Sequence, residues 1–476
     1  MNRQHDRQSV IADAALFRAS GAQLISGNKI RILRDGRENY PEWEKSIRSA
    51  TRTIHLEMYI VHNDNTGRHF RDLLVQKAAE GVKVRLLYDW FGSRSILGRK
   101  MWRPLAEAGG EVRVANPPKM SGLLGWLRRD HRKLLAVDGS VAFISGLCIG
   151  DAWTGDPDHG LEPWRDTGLM IEGPAVAEAE NAFADAWRVA GGTIPLSELP
   201  KKDGLKKAGN VAVRIVAASP EKGGLYRLDL LVAAAAQEYL WLTDAYFLGT
   251  SAYLAALRSA ALDGVDVRLL VPLASDIQWI ANMSRSSYKS LLEAGVKVYE
   301  WNGPMIHAKT AVCDDRWARI GSTNLNISSW LGNWEIDVVI ENKRAACRVA
   351  DMFLEDLKNA AEVVITSRNK VRPVKKRRRP RRLRILRSSG QGVLTKAVNA
   401  GSALNAAVTG KRKLSRAESL PLFSIGLILC AIAAAIILIP NVFAFSVAAL
   451  IAVIGVFVLG RSVWLRFSKP KQQASE

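Results

Sequence analysis

The sequence predicts an α/β protein made of two similar halves, fused as a pseudo-dimer and followed by a C-terminal transmembrane helical hairpin. Three observations support this prediction: an internal repeat of strands and helices, one chemical motif that occurs in both repeats, and two apolar runs near the C-terminus. The chain has 476 residues, which exceeds what one hydrophobic core usually serves. Hydrophobic residues make up 48% and charged residues 24%, so global disorder is excluded.

The internal repeat can be followed along the chain. Each half presents a strand, a helix, a second strand, a further helix that ends in Glu-Ala-Gly, and another strand. The first-half segments are 53–60, 70–80, 81–88 and 111–115, and those of the second half are 239–247, 252–263, 264–272 and 296–301. Strands that alternate with helices favour an α/β fold with a largely parallel or mixed sheet in each half.

After these strands, each half carries the motif His-x-Lys-x4-Asp. The motif residues are His131, Lys133 and Asp138 in the first half and His307, Lys309 and Asp314 in the second. Residues two apart on a strand project from one face, so a nucleophile and a cation can meet one phosphate. We place all six residues in the catalytic set, although we expect the two Asp residues to have a structural role first, at a turn.

Further polar residues match between the halves downstream of the motifs. Gly146 and the run Gly321-Ser322-Thr323-Asn324 each precede a predicted helix start, where small residues and backbone amides suit a phosphate. A later strand then carries an acid in each half, and this carboxylate could fix the tautomer of its histidine by accepting one ring N–H. The candidate phosphate-binding and supporting residues are Ser322, Asn324, Asp166 and Glu335.

This set of residues resembles the phospholipase D superfamily over roughly residues 28–365. The resemblance implies a site at the interface of two phospholipase D-like α/β/α sandwich halves. It implies that His131 attacks phosphorus and forms a phosphohistidine, while His307 protonates the leaving alcohol and deprotonates the incoming hydroxyl. The residues implied to neutralise the equatorial phosphate oxygens are Lys133, Lys309, Ser322 and Asn324. No cofactor is expected, and the sequence contains no metal-ligand cluster.

Within the superfamily the chain looks like the bacterial cardiolipin synthases. The phrases that carry this likeness are LEMYI, YDWFGS, LLGWLRR, HRKLLAVDG and WRDTGLMIEGPAV. Such enzymes transfer a phosphatidyl group to the hydroxyl of phosphatidylglycerol, so phospholipids, and phosphatidylglycerol above all, are the expected substrates. The sequence departs from the family at Cys148, where an Asn is usual, and at Asn326, where an Asp is common; a thiol is a weaker donor than an amide.

Three other functions stay open. The same chemistry with water or a small alcohol would make a phospholipase D, and acceptor choice depends on pocket shape. A nuclease or other phosphodiesterase is disfavoured because residues 1–367 are nearly neutral, so nucleic acid is not an expected partner. Intact motif residues argue against a non-catalytic lipid-binding scaffold. The sequence does not predict an oligomeric state.

The basic residues are concentrated in one linker. The net charge is +21, and residues 368–416, from Arg368 to Arg416, supply seventeen Lys or Arg and no acid. We interpret this segment as a flexible polybasic tether that binds an anionic membrane surface. A solvated topology signal is the alternative.

Two apolar runs follow this tether, at residues 421–439 and 442–460. Each is just long enough to span a bilayer as a helix, and the short Pro440-Asn441 connection forces an antiparallel hairpin. Basic flanks on both sides place both ends in the cytoplasm. We therefore expect an inner-membrane protein whose catalytic body and termini are cytoplasmic, the alternative being a buried hairpin of a soluble domain.

The predicted organisation has six segments. They are an N-terminal extension (1–27), two catalytic halves (28–200 and 201–367), the tether (368–417), the hairpin (418–462) and a cytoplasmic tail (463–476). Residues 121–129, SGLLGWLRR, form an insertion that we expect to dip into the membrane interface, with Arg128 and Arg129 on lipid phosphates. A loop that packs on the core is the alternative.

Overall fold

The computed structural model describes residues 13–93, 100–117, 128–220, 222–366, 371–373 and 427. The predicted tail, the predicted hairpin apart from residue 427, nearly all of the tether, and residues 121–127 of the insertion therefore lie outside the described residues. Among the residues that are described, no helix is both long and apolar enough to cross a membrane. The elements below all belong to one unit, Met1–Asn399.

The strands of the first half are β1 (Ile25–Arg34), β2 (Thr53–Met58), β3 (Lys83–Asp89), β4 (Glu111–Ala115), β5 (Arg129–Asp130), β6 (Lys133–Val137), β7 (Val141–Ser145) and β8 (Thr167–Glu172). Those of the second half are β9 (Val211–Ala218), β10 (Tyr239–Thr243), β11 (Asp266–Pro272), β12 (Lys297–Trp301), β13 (Thr310–Cys313), β14 (Trp317–Gly321), β15 (Asn333–Glu341), β16 (Ala360–Ile365) and β17 (Val371–Pro373).

The helices of the first half are α1 (residues 13–20), α2 (Asp35–Ser49), α3 (Asn65–Ala79), α4 (Arg103–Glu107), α5 (Asp151–Thr154) and α6 (Val176–Val189). Those of the second half are α7 (Gly224–Ala235), α8 (Ser251–Leu262), α9 (Gln278–Glu293) and α10 (Lys343–Leu357). A one-turn π-helix, Ser328–Gly332, precedes β15.

Both halves contain a mixed sheet with the same strand order. In the first half the order is β4-β3-β2-β6-β7-β8-β1, with parallel pairing among the first three strands and antiparallel pairing after them. In the second half the order is β12-β11-β10-β13-β14-β15-β9, with the same directions. The predicted repeat and the predicted mixed sheets are confirmed by this topology.

The two sheets are joined along one edge. Strand β1 pairs with β8 of its own half from Lys29 to Arg34 and with β9 of the other half at Ile25 and Asn28. Helices α6 and α10 pack into one core with strand residues from both halves. The halves therefore share a hydrophobic core as well as a hydrogen-bonded edge.

The central strands that lead to the site are buried. Every residue of β2 and of β6 is buried, as expected for central strands covered on both faces. Strands β2 and β10 end at Met58 and Thr243, earlier than predicted, and the chain then turns so that Tyr59 and Tyr246 lie near the motif histidines.

Candidate active site

The two motif histidines lie at the boundary between the halves, and each is held by the opposite half. The backbone N–H of His131 donates to the carbonyl of Trp334 at 2.9 Å, and that of His307 donates to the carbonyl of Arg165 at 2.7 Å. Strand β5 runs parallel to the start of β15, and a matching bridge joins Arg165 to Ile306. Both motifs therefore reach one shared boundary.

Each histidine is paired with a carboxylate from the other half. Nδ1 of His131 lies 2.9 Å from Oε2 of Glu335, and Nδ1 of His307 lies 2.7 Å from Oδ2 of Asp166. The sequence analysis assigned each acid to the histidine of its own half, which is wrong. The backbone hydrogen bonds at Trp334 and Arg165 explain the exchange. Glu335 follows Trp334 and Asp166 follows Arg165, so each acid lies beside the motif of the opposite half. A carboxylate on Nδ1 makes Nε2 the nitrogen that acts on substrate.

The motif lysines are completely buried beside these histidines. Each ammonium group donates to the backbone carbonyl of its own motif histidine. We predicted that His and Lys would share a strand, but β6 starts at Lys133 and β13 starts after Lys309. The segments that hold the two histidines bond to Trp334 and Arg165 of the opposite half instead of continuing β6 and β13.

The buried charges shift the titration of the site. Burial lowers the pKa of His307 to about 3, and the charge of Lys309 adds to this effect. Burial also lowers the pKa of His131 well below its usual value, with Lys133 and Lys309 adding to the shift. The pKa of Lys309 falls to about 8 because burial outweighs the charge of Asp166. Both histidines are therefore neutral in the resting site.

The two carboxylates differ in their electrostatics. Burial raises the pKa of Glu335 to about 7, and Lys133 and Ser322 only partly oppose this. Burial would also raise the pKa of Asp166, but His307 and Lys309 outweigh it and hold the pKa below its usual value. Asp166 is therefore ionised, whereas Glu335 titrates near neutral pH.

Ser322 and Asn324 have different surroundings, although both were predicted to bind phosphate. The Ser322 hydroxyl donates to Oε2 of Glu335 at 2.6 Å, so it supports the carboxylate. The amide of Asn324 is fully buried, and neither its nitrogen nor its oxygen has a hydrogen-bond partner among the described residues. Leaving such a group unpaired costs about 1–3 kcal/mol, which a bound ligand can recover.

Cys148 corresponds by position in the repeat to Asn324 and is fully buried. The charges of Lys133 and Lys309 both act on its thiol, which places it in the same environment as the motif residues. Burial nevertheless raises the pKa of the Cys148 thiol, so it is neutral and adds no negative charge to a phosphate site.

Short helical segments follow Gly146 and the run from Gly321 to Asn324, but they begin several residues later. The nearby helical segments start only at Asp151 and Ser328. A Cβ atom at Gly146 would lie 2.1 Å from an oxygen of Asp166, and one at Gly321 would lie 2.1 Å from an oxygen of Asp337. These glycines therefore allow carboxylates to approach the backbone closely.

The motif residues Asp138 and Asp314 lie outside the site, which corrects their place in the catalytic set. Asp138 accepts hydrogen bonds from the backbone N–H groups of residues 51, 52 and 53 at 2.8 Å. Asp314 does the same for residues 237, 238 and 239 at 2.9 Å. Asp138 follows Lys133 by five residue steps along β6, or about 16 Å of strand. Both acids organise turns.

Aromatic residues around the histidines were missed by the sequence analysis. The Tyr59 ring is edge-on to His131 at 4.7 Å between centroids. The rings of Trp153, Trp164 and Tyr246 lie 5.6, 5.6 and 5.8 Å from His307. Trp153 also donates to Oδ2 of Asp166 at 3.0 Å. Tyr59 lies within LEMYI and Trp164 begins WRDTGLMIEGPAV, so these phrases were the available signal for two of the four rings. The rings exclude water from the histidines.

The described end of the insertion differs from the membrane-contact hypothesis. Arg129 is only 6% exposed, and its guanidinium lies over the Phe91 ring at 4.6 Å. Burial in the body therefore removes Arg129 from the residues expected on lipid phosphates. Among the described residues, no cluster of His, Cys, Asp or Glu could hold a metal ion.

Two repeated α/β halves that exchange His–carboxylate contacts around a pair of buried lysines define a two-motif phospholipase D-like protein. Residues 44–187 and 232–357 match the family model described as "Cardiolipin synthase, PLD-like domain". The chain belongs to this family.

Similar proteins include two curated bacterial enzymes. The chain is 35% identical to a cardiolipin synthase of Halalkalibacterium halodurans over 340 residues, covering 70% of this chain and 67% of that one. It is 34% identical to the major cardiolipin synthase of Bacillus subtilis over 345 residues, covering 71% and 70%. The crystal structure of phosphatidylserine synthase from Haemophilus influenzae shares the fold, with a TM-score of 0.58 at 14% identity, over 73% of this chain and 91% of that one.

Proposed function

We propose that this protein is a phosphatidyltransferase of the cardiolipin synthase type, which moves a phosphatidyl group from one phospholipid to a hydroxyl of another. Phosphatidylglycerol is the proposed substrate. The observation that carries the proposal is the exchange of carboxylates between the halves, which builds two His–carboxylate pairs beside two buried lysines. The similar cardiolipin synthases support the same conclusion.

In the first step, Nε2 of His131 attacks phosphorus and the bond to the leaving alcohol breaks. Glu335 accepts the Nδ1–H of His131 and stabilises the positive charge on the ring. Lys133, Lys309 and the unpaired amide of Asn324 neutralise the charge on the phosphoryl oxygens.

His307 gives its proton to the leaving alcohol in this step. Its pKa in the resting site is about 3, partly because of the neighbouring Lys309 charge. A phosphodiester anion offsets that charge, so substrate binding raises the pKa of His307 and couples its protonation to occupancy. Asp166, which stays ionised, stabilises the imidazolium.

In the second step, neutral His307 takes the proton of an incoming hydroxyl, whose oxygen attacks the phosphohistidine. The phosphorus–nitrogen bond breaks and His131 is regenerated. Burial of both histidines, which are 1% and 4% exposed, favours a lipid alcohol over bulk water as acceptor.

We also propose, from the sequence, that residues 418–462 anchor the protein in the inner membrane and that residues 368–416 bind anionic lipid. The two apolar runs support the anchor, and the seventeen basic residues support the binding of anionic lipid. A chain that ends at residue 367 should appear in the soluble fraction after cell lysis, whereas the full chain should sediment with membranes. Sedimentation of both forms would contradict the anchor.

The reaction can be tested by mass spectrometry of lipids after incubation of the full chain with phosphatidylglycerol vesicles. We expect cardiolipin and glycerol, and neither with His131→Ala. The exposed substitution His159→Ala is the matched control and should leave the products unchanged. Phosphatidic acid alone would identify water as the acceptor and a phospholipase D instead.

A further inference from the structure

The two His–carboxylate pairs differ in the group that supports the carboxylate. In the second half, the Ser322 hydroxyl donates to Oε2 of Glu335, the same oxygen that faces Nδ1 of His131. The pairing of β6 with β7 and of β13 with β14 aligns the halves, so Gly146 and Ser322 each directly follow the second strand of the pair. Because Gly146 has no side chain, the first half lacks this hydroxyl beside Asp166.

A serine at position 146 would not fit, because Asp166 occupies the space. A Cβ atom at Gly146 would lie 2.1 Å from Oδ1 of Asp166. Oδ1 accepts the backbone N–H of Thr167 at 2.8 Å, and Oδ2 faces Nδ1 of His307. Asp166 is fully buried, so its charge requires further donors within the protein.

The indole N–H of Trp153 is such a donor. It lies 3.0 Å from Oδ2 of Asp166, the same oxygen that lies 2.7 Å from Nδ1 of His307. The Trp153 ring is also edge-on to the His307 ring, with 5.6 Å between centroids and 81° between planes. One side chain therefore contacts both members of this His–carboxylate pair.

Packing fixes the position of the indole. Trp153 is 1% exposed and lies on the short helix α5. Its ring packs against that of Trp164, with 5.0 Å between centroids. Its backbone carbonyl lies so close to α2 that a Cβ atom at Gly36 would be 2.4 Å from the carbonyl oxygen. The fold of the first half therefore directs the N–H towards Asp166.

A neighbouring cation makes the position of Asp166 important for His307. Nζ of Lys309 lies 2.9 Å from Nδ1 of His307, the nitrogen that Asp166 also faces. If the carboxylate turned away, the ammonium group would donate to Nδ1, and Nε2 would carry the ring proton of the neutral imidazole. In that tautomer Nε2 cannot accept the proton of an incoming hydroxyl.

We propose that Trp153 is a positioning residue for the proton transfers of His307, and that its indole N–H holds Oδ2 of Asp166 against Nδ1 so that Nε2 faces the reacting alcohols. The indole only donates and takes no part in the transfer itself. The inference rests on the proposed transfer reaction. It requires Trp153 to matter where His307 moves a proton, and not for the attack of His131 on phosphorus.

The test varies the leaving group of the first step. Phosphatidyl-p-nitrophenol releases nitrophenolate, which needs no proton, whereas the glycerol of phosphatidylglycerol needs the proton of His307. Full-length protein is mixed in excess with vesicles that contain either lipid, and the first release of glycerol or nitrophenolate is timed.

Two changes remove the N–H of Trp153. One is Trp153→Phe, and the other replaces Trp153 with benzothienylalanine, whose ring has the same shape but carries sulfur in place of the N–H. The second form remains informative if Trp153→Phe does not fold. The matched control applies both changes to Trp43, which is buried and whose N–H has no hydrogen-bond partner among the described residues.

We expect both changes at Trp153 to slow glycerol release at least about tenfold, since a hydrogen bond to a charged group is lost, and to leave nitrophenolate release unchanged. In an Asp166→Asn background, Trp153→Phe should not slow glycerol release further, because its effect passes through Asp166. The Trp43 forms should release both groups at the normal rate per folded molecule.

Equal slowing of both releases would overturn the proposal, because the indole would then support the whole site and not the proton transfer. Unchanged glycerol release, or a further loss in the Asp166→Asn background, would also overturn it. Failure of the proposed function would look different. The unmodified protein would then convert phosphatidylglycerol to phosphatidic acid in place of cardiolipin, while the comparison of the two leaving groups would still report on Trp153.

Discussion

At the scale of single residues, two chemically different carboxylates hold the two histidines. Asp166 stays ionised because His307 and Lys309 outweigh its burial, whereas the pKa of Glu335 rises to about 7. His307, whose ring must carry a proton, thus has the permanently ionised Asp166 beside it. His131, whose ring attacks phosphorus, is paired with Glu335, and the charge of Glu335 depends on pH near neutrality.

The first prediction concerns the pH dependence of kcat/KM for phosphatidylglycerol. The Glu335 carboxylate forms as pH rises through about 7, and the Lys309 ammonium is lost as pH rises through about 8. The profile should therefore rise through the first value and fall through the second, with a narrow maximum between them. Glu335→Gln should remove the ascending limb, and a flat profile in the unmodified enzyme would contradict this assignment.

The second prediction concerns Asp166→Asn. The amide cannot stabilise the His307 imidazolium, so kcat should fall by about 10²–10⁴-fold while vesicle binding is retained. Initial rates and a vesicle sedimentation assay separate the two effects. The matched control is Asp185→Asn on the exposed side of α6, which should retain the full rate. A loss of less than tenfold in Asp166→Asn would argue against the exchanged pairing.

At the scale of secondary-structure elements, the sequence predicted the order of the strands and helices well and the residues at which they begin and end less well. The strand at 111–115 and the helix ends at Glu107 and Glu293 match the prediction, because alternation and Glu-Ala-Gly endings are local signals. Helix α3 starts at Asn65, five residues before the predicted start, because the Asp64 side chain caps Gly67. The pairing of Glu335 with His131 spans 204 residues of sequence, and no local pattern encodes it.

The third prediction belongs to the turns that Asp138 and Asp314 organise. Asp138→Ala removes the acceptor of three backbone N–H groups and should lower the free energy of unfolding by about 2–3 kcal/mol. Urea denaturation followed by tryptophan fluorescence measures this change. The rate per folded molecule should stay normal, unlike that of His131→Ala. A folded but inactive Asp138→Ala would return this residue to the catalytic set.

At the scale of the whole molecule, the described body is held together by groups that cross between halves. Arg132 is 1% exposed and donates to the carbonyls of Ala182, Ala218 and Glu335, which lie in α6, β9 and β15. Strand β1 pairs with both halves as well. The repeat predicted two halves, but it did not predict their shared core, because periodicity reports which faces are apolar and not what covers them.

The fourth prediction follows for Arg132→Met, which leaves three buried carbonyl groups without their donor. The free energy of unfolding should fall by about 3–5 kcal/mol. Loss of fluorescence signal and loss of activity should occur at the same urea concentration, because both halves depend on this residue. Exposed Arg188→Met is the control and should change little. Two separate transitions would show that the halves unfold independently.

The exchange of carboxylates gives the chain the geometry of a two-fold symmetric dimer whose protomers have been tied into one polypeptide. In such a dimer the same patch faces itself across the axis, so every substitution would appear on both sides of the phosphate. Tying the copies together removes that constraint. Glu335 can then hold one histidine while the chemically different Asp166 holds the other, so a nucleophile and a proton carrier can be tuned separately within what was one duplicated site.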